Sequence, residues 1–92
     1  MMVSTAVSLL RRLVMVEGMT PAALADALYV TRDAIDFYLR GSVAVPRLVQ
    51  IALATFVIEQ VPSLVGAGYQ LRDQTRASIA YAAGDTIGRA SV

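Results

Sequence analysis

From Thr20 to Gly41 the chain reads Thr-Pro-Ala-Ala-Leu-Ala-Asp-Ala-Leu-Tyr-Val-Thr-Arg-Asp-Ala-Ile-Asp-Phe-Tyr-Leu-Arg-Gly, and no other stretch limits the fold as tightly. A threonine followed by proline opens a helix: the hydroxyl caps the free amides, and the ring is preorganised for the first helical position. Thr31 repeats the capping signal one short helix later, and Gly41 supplies a stop, because glycine tolerates the left-handed backbone of a helix end. Only Tyr29-Val30 separates the two helices, which leaves room for a tight corner and nothing more. Leu24, Ala25 and Leu28 form the inward face of the first helix; Ile35, Tyr38 and Leu39 form that of the second.

The flanks extend the same all-helical pattern. Residues 3–16 place Val3, Val7, Leu10 and Val14 on one stripe with Leu9, Leu13 and Val16 on its shoulder, a wide apolar face broken by Arg11 and Arg12. Glu17-Gly18 ends that helix. Pro46 starts another, Leu48 to Val61, which has almost no polar face and is expected to be buried on every side, as a central helix or a subunit interface. Pro62 breaks it, Gly66 and Gly68 read as a flexible joint, and residues 69–83 read as a last helix with Leu71, Thr75, Ile79 and Ala82 in register. The fold expected is all-α, a compact bundle of about five helices. Residues 1–62 would form one domain, and 63–92 a C-terminal helical extension serving oligomerisation.

Apolar residues make up 57% of the chain and charged ones 16%, against roughly 25% charged in typical soluble domains. A 92-residue chain cannot hide that much apolar surface alone, so self-association, a homodimer in the simplest case, is expected. All eight basic residues are arginine and the net charge is +1, which permits nucleic acid as a partner without pointing to it. Cysteine and histidine are both absent. That excludes disulfides, zinc–thiolate sites, imidazole ligands and histidine general bases. No nucleophile–base pair and no glycine-rich phosphate loop is visible, so the chain is not expected to be an enzyme, and neither a cofactor nor a metal is expected. Arg11 and Arg12 follow the first apolar run instead of preceding it, unlike a signal peptide, and the uncharged runs fall short of the ~20 residues a spanning helix needs. A cytoplasmic location with no membrane contact is the expectation.

Two short helices joined by a tight turn are the layout of a helix-turn-helix, which presents its second helix to the DNA major groove. The residues resemble the lambda-repressor-like (Cro-type) family over roughly residues 5–60. Leu24-Ala25 matches the Leu-Ala pair of the first motif helix, where the second helix crosses over the small side chain. Val30 matches the apolar turn residue, Ile35 the β-branched contact of the recognition helix, and Tyr38-Leu39 its closing apolar pair. Gly41 followed by Pro46 before an apolar helix is similar to the family's continuation. The resemblance implies a small transcription regulator that binds double-stranded DNA as a homodimer. Thr31, Arg32, Asp33, Asp36, Phe37 and Arg40 would face bases and phosphates, with Arg47 a phosphate contact at the next helix start.

Two departures bear on that expectation. The turn position usually held by glycine is Tyr29, which must take a left-handed backbone at a steric cost or bend the chain differently. The reading face is mildly acidic: residues 20–42 hold two arginines against three aspartates, a net of −1. Asp33 and Asp36 also suit the positive end of a helix dipole without any partner, and Asp36 lies one turn from both Arg32 and Arg40, where surface ion pairs form. Tyr29, Phe37 and Tyr38 with the arginines fit a protein-contact patch as well. The alternative is therefore a helix-turn-helix-derived interaction module that binds protein instead of DNA.

Overall fold

A computed structural model describes residues 4–77. Four helices follow in order, α1 (Thr5–Met15), α2 (Pro21–Leu28), α3 (Arg32–Arg40) and α4 (Arg47–Gln60). A single 3₁₀ turn at Pro62–Leu64 then leads into a fifth helix, α5, over residues 65–77, where the described part ends.

Three of these helices begin in the same way. The side chains of Ser4, Thr20 and Thr31 accept hydrogen bonds from the amides of Val7, Ala23 and Ala34 at 3.2, 3.1 and 3.1 Å. Each satisfies one amide that has no partner within its helix, worth about 1 kcal/mol. Helix ends also share a device. Gly41 takes a left-handed backbone (φ 73°), and the Ser42 amide reaches back to the Phe37 carbonyl at 3.0 Å. Tyr29 adopts the same geometry at the end of α2 (φ 58°, ψ 40°), with the Val30 amide donating to Ala25 at 3.1 Å. The corner between α2 and α3 is thus made by a left-handed tyrosine, the first of the two options its sequence left open.

One core joins all five helices. Leu10 and Leu13 of α1, Leu24 of α2, Ile35 of α3, Leu53 of α4 and Leu71 of α5 are each at most 1% exposed. Complete burial of such a side chain is worth about 1.5–3 kcal/mol. α2 packs on both α3 and α4, and α1 packs on α3. Ala25 is buried at 6% exposure, as a crossing helix requires, and Tyr38 at 7%, while Leu39 is half-buried against the same cluster.

Three expectations from the sequence need correction. Val16 does not join the inner face of α1: the helix ends at Met15 and Val16 is 70% exposed. Gly66 and Gly68 are not a joint, because residues 65–77 are continuously helical. Gly68 is instead a contact point, where an added Cβ would lie 3.0 Å from side-chain carbons of both Val57 and Ile58. A side chain there would push α5 off α4. Finally, α4 is not a central helix buried on every side by its own chain, which bears only on the first of the two readings, central helix or subunit interface. Leu53, Ala54 and Val57 face the core, while Leu48 is 81% and Ile51 38% exposed. Val3, Ile79 and Ala82, also expected to face inward, lie outside the described residues.

Candidate nucleic-acid interface

The sequence places six candidate residues on or just before α3, and helical geometry brings them to one side. Ile35 and Tyr38 point into the core, which fixes the rotation of α3. Arg32, Asp33, Phe37 and Arg40 are exposed and Asp36 is half-buried, all on the opposite arc. Thr31 stands at the N-terminal edge of this face. Its oxygen is engaged by the Ala34 amide at 3.1 Å, which leaves the hydroxyl proton available to an outside acceptor. Arg47 belongs to a different element, as the first residue of α4, and it too is exposed.

Two of the four charges on α3 suit the helix itself, while Arg32, its first residue, stands against the dipole. Asp33 lies in the first turn and Arg40 in the last, each at the end of the dipole that stabilises it. The ion pairs anticipated between Asp36 and its arginine neighbours do not form: among the described residues the one salt bridge is Arg72–Asp73, at 3.8 Å, between a half-buried arginine and an exposed aspartate. Arg32 and Arg40 therefore present guanidinium groups with no carboxylate in reach, each able to take a phosphate in a two-pronged hydrogen bond. Phe37, 46% exposed, adds an apolar surface between them.

Arg11 was legible in the sequence only as a break in the apolar face of α1. Its Nε donates to the carbonyl of Leu39 at 2.9 Å, a bond that is partly buried. The last carbonyls of a helix have no partner within it, and a cation there also complements the dipole. Arg11 thereby fixes the last turn of α3 to α1, and with it the direction in which Arg40 projects. An arginine interrupting an apolar helix face is the signal for such a role, though not for its partner.

Among the described residues no helix is long and apolar enough to cross a membrane, and no group of three or more acidic side chains gathers into a metal cage. Compared with protein-family models, curated proteins and solved structures, the chain matches none.

Proposed function

We propose that this chain is a small helix-turn-helix regulator, cytoplasmic and dimeric, which binds double-stranded DNA through the outward face of α3. The supporting observation is the juxtaposition of Arg32 and Arg40, exposed and unpaired, on a helix whose rotation and ends are fixed by Ile35, Tyr38, the Thr31 cap and the Arg11–Leu39 bond. Thr31, Arg32 and Arg40 would hold phosphates. Phe37 would meet a thymine methyl, and Asp33 and Asp36 would accept from cytosine N4. Two copies would place their α3 helices in half-sites ~34 Å apart.

The test is fluorescence anisotropy of random-sequence duplex DNA titrated with the protein between about 50 and 200 mM salt, where phosphate contacts show their steepest dependence. Binding that falls sharply with salt is expected. Arg32→Ala and Arg40→Ala should each weaken it across all sequences and lower the salt slope by about 1. Unchanged binding in both variants would remove α3 from the interface. Absence of binding at the lowest salt would overturn the DNA reading and leave Phe37 as the anchor of a protein contact.

A further inference from the structure

The charges on α4 are placed against its own dipole. Arg47 is its first residue and Glu59 its last but one, with no acid in the first turn and no base in the last. Cations at a helix N-terminus and anions at a C-terminus are each unfavourable. Pro46 occupies the cap position and gives the first amides no side-chain acceptor, in contrast to Ser4, Thr20 and Thr31. Between these ends the outward face is apolar or small: Leu48 and Ile51 are exposed, followed by Ala52, exposed Thr55 and half-buried Phe56. Beside it lies a groove lined by Tyr29, Ala52, Thr55, Phe56 and Glu59 among others. Tyr29, at its rim, is 93% exposed.

We propose that this face is covered by the same face of a second copy, with the two α4 helices antiparallel about a two-fold axis. The inference rests on the dimer reading above and specifies its seam. An antiparallel partner reverses both electrostatic faults at once. Arg47 then lies beside the partner's Glu59 and the C-terminal end of its helix, and the symmetry repeats the pair. Arg47 and Glu59 are about 18 Å apart along the axis, so the two pairs bracket the apolar stretch instead of crowding it. The register that sets Arg47 opposite Glu59 also sets Ile51 opposite Thr55, with Ala52 near the axis, where a small side chain lets two helices approach. It directs the partner's Leu48 towards the Tyr29–Phe56 groove. A two-fold interface needs a surface complementary to itself, and α4 carries opposite charges at opposite ends of one apolar stripe. A parallel pair would set Arg47 against Arg47 and Glu59 against Glu59. An unrelated partner would need the same pattern reversed, which this chain already supplies.

Sedimentation velocity over the micromolar range, without DNA, tests the seam. The parent chain should be dimeric. Arg47→Glu and Glu59→Arg should each weaken the dimer by at least about tenfold, since each places two like-charged pairs in the interface. An equimolar mixture of the two variants should recover the parent affinity, because only the mixed dimer pairs every charge with its opposite. Leu48→Asp should give a monomer with an unchanged circular dichroism spectrum. A dimer indifferent to all three substitutions would overturn the α4 seam and leave self-association standing through another surface. A parent chain monomeric throughout would overturn both.

Discussion

α3 and α4 are adjacent in sequence and each turns one face outward, yet they are finished in opposite ways. α3 has a hydroxyl cap, an acid in its first turn, a base in its last and a left-handed glycine stop. Its outer surface is mostly charged: Arg32 at the first position is offset by Asp33 beside it, and Phe37 is its one exposed large apolar side chain. α4 has a proline cap without a side-chain acceptor, a base first and an acid last but one, and an outer surface carrying Leu48 and Ile51. A helix completed by its own residues can meet a ligand that comes and goes, such as a nucleic acid backbone. A helix left incomplete in this manner is suited to a permanent neighbour. The two faces thus divide the work proposed for this chain: α3 for recognition, α4 for assembly.

The contrast is most easily broken by substituting the same residue type on the two sides of α4. Leu53 has no exposed surface and Leu48 is 81% exposed. Leu53→Ala should cost about 2–5 kcal/mol through lost burial and the cavity left behind. Leu48→Ala should change stability by no more than about 0.5 kcal/mol under conditions where the chain is monomeric. Guanidinium denaturation at low protein concentration measures both. Equal losses would mean that the outer face of α4 is packed within the monomer, and the distinction from α3 would fail.

The inner halves of these helices were legible in the sequence and the outer halves were not, for a physical reason. Burial imposes a period: Leu24, Ala25, Leu28, Ile35 and Tyr38 could be named because two helices joined by Tyr29-Val30 admit only one mutual orientation, and the capping threonines marked their starts. Composition misled where it replaced that argument. An almost wholly apolar α4 read as a central helix or a subunit interface, and a small chain has only enough neighbours of its own to cover one side of it, which removes the first option. Gly68 read as a joint because glycine commonly breaks helices; here it admits Val57 and Ile58 against α5. For α3 the residues of the outward face were legible, but not that Asp36 stands apart from Arg32 and Arg40, since rotamers on an exposed helix are not fixed by spacing.

A smaller effect sharpens the comparison from the α3 side. Arg11 is half-buried and its Nε–H bond to the Leu39 carbonyl links elements distant in sequence. Arg11→Met keeps the apolar stem and removes the donor. The loss should be about 1–2 kcal/mol, towards the lower part of the range for hydrogen bonds from charged groups because water reaches the site. If urea denaturation gives no loss, α3 is held by its core contacts alone and Arg11 has no part in aiming Arg40.

The smallest expected effect has the opposite sign. Tyr29 and Gly41 close successive helices with the same left-handed backbone, φ 58° and 73°. Only the tyrosine has a Cβ to strain, at a cost of about 1–2 kcal/mol. Its side chain offers the monomer little in return, since it is 93% exposed. Tyr29→Gly should therefore stabilise the isolated chain by about 0.5–1 kcal/mol, the relieved strain being partly offset by the greater freedom of glycine in the unfolded state. Residues held in costly conformations persist where the side chain serves another purpose, and Tyr29 forms the rim of the groove beside α4. The same substitution should then weaken the dimer while it stabilises the monomer. Thermal unfolding of dilute protein reads the first effect and sedimentation the second. A variant that is more stable and equally dimeric would separate Tyr29 from the α4 seam and leave its strain without a function.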